Sequence, residues 1–189
     1  MDVKEAIEKR RAYRSFEPIE ITDEMLKELG TAAQLTASCF NNQPWRFVFV
    51  RSKEQLLKMR EVFSKGNSWA YEDSLIIAVF GKKEKDCNIQ EREYYLFDIG
   101  MAASAMILRA TEMGLVAHPI AGYSPEKAKE ILGIPADNML ITLINVGKKS
   151  DKINPVLNEK QAEQEKERPP RRKLGEIYSI DTFSAELDK

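Results

Sequence analysis

The chain has 189 residues, 43% of them hydrophobic, with 29 Lys and Arg against 30 Asp and Glu and a formal net charge of −1. That balance excludes a global field for nucleic acid or acidic lipid, and the apolar content excludes a chain disordered from end to end. One histidine, His118, and two cysteines, Cys39 and Cys87, outside any CxxC pair exclude a zinc site of the usual Cys/His spacing.

The length fits a single domain over residues 1–189. Two lone thiols fit a reducing compartment. Met1 to Glu5 is charged and has no apolar signal core. The uncharged run Ile99 to Leu108 is half of the roughly 20 residues a membrane span needs. The expectation is a soluble cytoplasmic protein with neither membrane nor nucleic acid as partner.

The first helix begins at Asp2, an N-cap with Glu5 three residues on. Its apolar stripe Val3, Ala6, Ile7 continues on the same face to Arg10 and, if the helix lasts, to Arg14. A guanidinium on a core-facing stripe needs a counter-charge, either a protein carboxylate or a bound anion, and Arg suits phosphate because its planar donors bond in pairs. The alternative is a solvated basic helix end, favoured by the helix dipole.

A connector, Glu17 to Ile21, leads to a second helix capped by Thr22 with Met25, Leu26, Leu29, Ala32 and Ala33 at helical spacing. Ala37 to Trp45 is a polar, proline-containing loop, a common position for binding groups. Phe47 to Val50 reads as a strand covered on both faces, and Lys53 to Phe63 as a helix. Trp69 and Tyr71 follow the turn 64–68, as core or as a ring-stacking wall.

Leu75 to Phe80 is a second apolar strand. From about Asn88 to Met113 runs the longest helical candidate, apolar nearly all round, with Gly100, Ala102, Ala103, Ser104 and Ala105 permitting close approach and Gly114 ending it. A strand-like stretch, Leu115 to Tyr123, precedes a short helix started by Ser124 and Pro125 and closed near Gly133. Met139 to Val146 is the third strong strand.

Residues 148–173 form a charged loop or arm, with Glu159 to Lys173 lacking an apolar face, and Pro169 to Lys173 is a basic knot. Leu174, Ile177, Tyr178 and Phe183 give the last segment, 174–189, something to dock with. Three strong strands alternating with helices indicate a small layered α/β or α+β sheet.

No glycine pair forms GxG, which excludes the dinucleotide fingerprint and the P-loop, and no GxSxG occurs. His118 reads as structural or solvated, and Cys39 as a plain packing residue rather than a nucleophile. With so little acid–base apparatus, chemistry has to come from a bound cofactor. The available holders are two basic clusters, Arg10/Arg11/Arg14 and Arg171/Arg172/Lys173, and two amide-rich loops, at Asn41–Gln43 and Asn67.

The ordered series Arg-Arg-x-x-Arg-x-Phe after the first helix, Asn-Gln-Pro-Trp, the alanine-rich long helix, Pro-Ile-x-Gly-Tyr and the late basic knot resembles the FMN-dependent nitroreductase family. The resemblance implies an α+β three-layer sandwich, a central mixed, mainly antiparallel sheet flanked by helices, in an intertwined homodimer whose C-terminal extension packs on the partner. It implies FMN at the interface, NADH or NADPH as electron donor, and a small electron-poor acceptor such as a nitroaromatic or quinone.

Carried over by position, Arg10, Arg11 and Arg14 meet the phosphate, ribityl chain and pyrimidine edge. Ala37, Ser38 and Cys39 pass the flavin ring, Asn42 and Gln43 sit in the adjoining loop, and Asn67 bonds the ring edge. Pro119, Ile120, Ala121 and Gly122 form the backbone turn facing the reactive nitrogen. Arg171 and Arg172 fall near the C-terminal phosphate contact, in a register open by one or two positions. Phe40, Trp69 and Tyr71 are candidate walls for a flat acceptor. No catalytic side chain and no metal are implied.

The chain departs from the pattern at Ala12, where a serine is usual, and at Ala121, where a glutamate is frequent; both bear on FMN affinity and donor preference. The alternatives are a flavin-binding sensor or carrier without turnover, or a related flavoenzyme doing reductive dehalogenation or flavin breakdown.

Overall fold

In the computed structural model, which describes residues 1–188, the chain folds around the strand Leu75–Gly81 (β3). Five of its seven residues are apolar and large or β-branched, so it tolerates cover on both faces. Leu75, Ile77 and Val79 point to one core, and Ile76 and Ala78 to the other.

β3 lies between the strand Arg46–Val50 (β2) and the eleven-residue strand Met139–Lys149 (β7), antiparallel to both. β7 also pairs antiparallel with Val116–Ile120 (β6) and, near its end, with Phe16–Glu17 (β1). The sheet thus has five strands rather than three. β1 is too short for any periodic signal, and β6 carries Pro119, which lacks a ladder donor.

Helices cover both faces in an α+β, three-layer arrangement. On one side Asp23–Gln34 (α2) and Tyr94–Glu112 (α4) bury Leu29, Ala33, Ile99, Ala102 and Met106. On the other, Lys53–Met59 (α3) and Pro125–Leu132 (α5) bury Met59 and Ala128 beside Trp69. Thr22 and Ser124 cap α2 and α5 through their hydroxyls. Among the described residues, no helix is long and apolar enough to cross a membrane.

Three expectations change. The first helix, Val3–Lys9 (α1), is capped by the Asp2 carboxylate, which accepts the Glu5 amide at 2.8 Å, but it stops at Arg10 with ψ 118°. Arg10 and Arg14 therefore lie on an extended segment leading into β1, not on a continuing helical stripe.

The long helix starts at Tyr94, because 88–93 turns back as a hairpin of Asn88–Ile89 (β4) and Arg92–Glu93 (β5). Gln90, at φ 58°, makes that turn. Gly114, at φ 77°, closes α4.

The charged arm contains a helix, Glu159–Lys166 (α6). Asn158 and Gln161 cap it reciprocally, each side chain bonding the other's backbone amide. In place of an apolar stripe it presents a carboxylate to the rest of the chain: buried Glu165 accepts the Arg14 amide at 2.9 Å and the Ser15 amide at 3.1 Å.

Candidate functional site

The segment after α1 and the segment after α6 meet to form a cationic cavity. The Arg11 guanidinium donates to the Gln164 carbonyl at 2.6 Å and lies 4.4 Å from the centre of the Tyr13 ring. Arg168 donates to the carbonyls of Glu8 and, at 2.8 Å, Arg10, two acceptors left open by the end of α1. These bonds set Arg10, Arg14, Arg168 and Arg171 around a cavity of about 150 Å³.

Arg10, Arg168 and Arg171 also line a larger cavity of about 680 Å³, floored by Gly100, Ala103 and Ser104 of α4 and bordered by Pro119. Small residues at three of those positions leave room that longer side chains would fill.

The electrostatics there are unbalanced. Burial and the neighbouring charges of Arg168 and Arg171 hold Arg10 below its ordinary pKa, and burial does the same to Arg14 against the opposing pull of Glu165. A guanidinium stays protonated regardless. Among the described residues no carboxylate lies within ion-pair range of Arg10, Arg168 or Arg171. Arg172 is exposed and lines neither cavity, whereas Arg168, absent from the candidates, lines both. The basic knot drew attention by density, and Arg168 stands just outside it.

A second corner joins the turn 64–67 to the end of β6. The Gly122 carbonyl accepts the Ser64 amide at 3.0 Å and the Asn67 side-chain amide at 2.9 Å. A Cβ on Gly122 would stand 2.5 Å from Asn67 Nδ2 and 2.7 Å from Ser64 Oγ, so a larger residue there would push both side chains out of this corner. Ile120 is held by the Thr142 hydroxyl, which donates to its carbonyl at 2.8 Å. Asn67 and the 119–122 turn, proposed separately from sequence, are thus adjacent.

Trp69 is corrected here. It is 1% exposed, its indole N–H donates to Asn67 Oδ1 at 3.2 Å, and its ring stacks on His118 at 4.7 Å, so it offers no face to a planar acceptor. Tyr71 is partly exposed, with the Arg60 guanidinium over its ring at 5.1 Å. His118 is buried, with Nδ1 2.9 Å from the Tyr13 carbonyl. Burial, with Arg14 and Arg10 nearby, pushes its pKa down to about 4. A neutral, stacked imidazole is a packing group.

The loop 37–43 stands elsewhere. The Cys39 amide donates to Asp98 Oδ2 on α4 at 2.7 Å, the Gln43 amide to Ser38 Oγ at 2.9 Å, and Asn42 Nδ2 to Asp86 Oδ1 at 3.2 Å. Phe40, Asn41 and Gln43 all take positive φ, at 46°, 58° and 48°. Three such residues in four positions is strain held by those bonds. Phe40 is 89% exposed.

Cys39 and Cys87 are not lone thiols: they form a disulfide with Cα atoms 6.1 Å apart. The wide sequence separation concealed the pair, since proximity here depends on tertiary packing. Residues 37–43 line neither arginine cavity, so a single chain does not bring all the candidate residues together.

The sequence profile of the nitroreductase family matches residues 7–73 and 64–148, from α1 into β7. A protein of Archaeoglobus fulgidus with the provisional name NADH dehydrogenase/NAD(P)H nitroreductase is 27% identical over 146 residues, covering 75% of this chain and 82% of its own length. Among solved structures, an oxidoreductase described as containing FMN superimposes with a TM-score of 0.82 at 26% identity, over 97% of this chain and 94% of its own. A nitroreductase family protein from Clostridium novyi NT superimposes with a TM-score of 0.74 at 27% identity, over 80% and 87%. With the profile spanning α1, both helical layers and the sheet, the chain belongs to the nitroreductase family.

Proposed function

We propose that this chain is an FMN-dependent NAD(P)H oxidoreductase, working as a homodimer and passing reducing equivalents to nitroaromatic, quinone or similar electron-poor acceptors. The observation that carries the reading is the set of three guanidiniums, Arg10, Arg168 and Arg171, converging on one cavity without a carboxylate partner. The mutual repulsion of such a set is relieved by an anion between its members, and a terminal phosphate matches Arg geometry. The adjoining larger cavity, with its small-residue floor, offers space for the rest of a flavin nucleotide. The residues present therefore fit the group.

When bound, FMN supplies the hydride and electron transfer. The chain's own residues position and enclose. Arg10, Arg168 and Arg171 hold the phosphate, and Arg14 adds positive potential from a half-buried site. The Asn67–Gly122 corner gives a fixed edge, since its carbonyl and amide are mutually bonded. His118 does not serve as a proton donor, because its depressed pKa keeps it neutral at pH 7.

Dimer formation supplies what one chain lacks. The loop 37–43, away from the arginine cavities, completes a shared site when it comes from a second copy. Apolar side chains on the outer faces support this: Ile7 of α1, Phe97 of α4, and Ile180 and Phe183 of the C-terminal segment are each more than half exposed, at 53%, 62%, 77% and 68%.

The test is anaerobic mixing of the FMN-loaded protein with NADH and with NADPH, read by loss of the flavin's visible absorbance. Bleaching by either donor, reversed by a quinone or nitroaromatic, is the expected result. Bound FMN that neither donor reduces would leave a carrier or sensor in place of a reductase.

A further inference from the structure

We propose that the Cys39–Cys87 pair, once reduced, forms with Asp86 a binding site for one thiophilic divalent cation of the zinc class. Cys39 Sγ, Cys87 Sγ and a carboxylate oxygen of Asp86 lie within 4.8 Å of one another. A tetrahedral metal with bonds of about 2.3 Å to sulfur spaces its ligands about 3.8 Å apart, so small side-chain rotations close the set. The three ligands come from two separate places, the 3-10 turn Cys39–Asn41 and the segment between the turn Lys83–Lys85 and β4, so the fold rather than sequence spacing assembles them.

The second observation is Asp86 itself. It is 9% exposed, and its Oδ2 is buried with no hydrogen-bond partner. An orphaned carboxylate oxygen at a buried position costs free energy unless a cation or proton meets it. Its other oxygen is already oriented by Asn42 Nδ2 at 3.2 Å, and its backbone carbonyl accepts Asn88 Nδ2 at 3.2 Å. That is the outer support a metal ligand ordinarily has. Asp98, 2% exposed and fixed by the Cys39 amide, sets its carboxyl beside that of Asp86, a buried pair of acids that a cation would relieve.

The chemistry balances with a named reductant. A trialkylphosphine breaks the S–S bond, takes the oxygen of one water to become its oxide, and leaves two thiols carrying the water's protons. Cation binding then releases both thiol protons, since the thiolates are the ligands. The disulfide and the cation are alternative clasps on one loop. None of its three ligands lines the arginine cavities, although Cys39 belongs to the loop 37–43 of the proposed flavin site; the cobalt bands are read without recourse to FMN, so failure here and failure of the flavin reading are distinguishable.

The experiment uses the isolated protein under nitrogen, reduced with a trialkylphosphine and freed of excess reductant. Its thiols are counted, and it is titrated with cobalt(II) as difference spectra against the cobalt-free sample, which cancels any flavin absorbance. The expected result is a sulfur-to-cobalt charge-transfer band with tetrahedral visible bands, saturating at one cobalt per chain and abolished by zinc. The unreduced protein and reduced Cys87→Ser should lack the band. Asp86→Asn, with two titratable thiols and an unchanged circular dichroism spectrum, should bind at least ten-fold more weakly. A folded, reduced protein with two free thiols and no band would overturn the proposal, as would unaltered affinity in Asp86→Asn. A disulfide that resists the phosphine in the folded protein would overturn it too, because the site then never forms.

Discussion

At the residue scale, what singles out Arg10 is the absence of a partner combined with partial burial. Its backbone carbonyl is engaged by Arg168, but its guanidinium faces the cavity beside two like charges. Arg10→Ala is therefore expected to weaken FMN binding by about 10- to 150-fold, the equivalent of one charged hydrogen bond at about 1.5–3 kcal/mol. Fluorescence titration checks this, and unchanged affinity would remove Arg10 from the phosphate site. His118 makes a different prediction. Its folded pKa of about 4 lies below the ordinary 6.5, so the unfolded chain binds the extra proton between those values. The stability linked to neutral His118 is fully present above pH 6.5 and is lost as pH falls toward 4, amounting to about 3 kcal/mol in all. Urea unfolding at pH 7 and pH 4.5 should show a smaller acid loss in His118→Gln than in the unaltered chain; equal losses would contradict the assignment. Sequence alone separated Asn67 from Gly122 and left Cys39 apart from Cys87. Both pairs meet through tertiary packing, which leaves no local periodicity to read.

At the element scale, legibility followed how much of an element's stability is local. The Asp2–Glu5 and Thr22 caps, the apolar runs of β3 and β7 and the Ser-Pro start of α5 each announce themselves within a few residues. α6 does not, because it is docked by polar contacts to distant parts of the chain, among them the buried Glu165 carboxylate accepting two backbone amides and the Arg11 bond to the Gln164 carbonyl. Glu165→Ala should leave the Arg14 and Ser15 amides without acceptors, costing about 1–3 kcal/mol and loosening the segment that carries Arg168. Hydrogen exchange at those two amides should accelerate while the β3 amides stay protected; unchanged exchange at Arg14 and Ser15 would contradict this role. Residues 88–93 misled for the reverse reason: their composition is compatible with helix, but the turn at Gln90 reverses the chain before Tyr94.

At the scale of the whole molecule, the family's fold accounts for the sheet and the two helical layers, while the two halves of the candidate site remain apart in a single chain. A shared site predicts a dimer by sedimentation when flavin is bound; a tight, flavin-loaded monomer would contradict it. Spacing within the chain offered those halves only as separate motifs, and it was the family resemblance that joined them in one expected site; the single chain keeps them apart. The central claim is that unpaired arginines from both ends of the chain, Arg10 on one side and Arg168 and Arg171 on the other, are held for a phosphate. The most direct measurement compares FMN with riboflavin, which differs only in lacking that phosphate. The account predicts that FMN binds tighter by on the order of 100-fold or more, from two or more charged hydrogen bonds at about 1.5–3 kcal/mol each. Equal affinity for the two would contradict it.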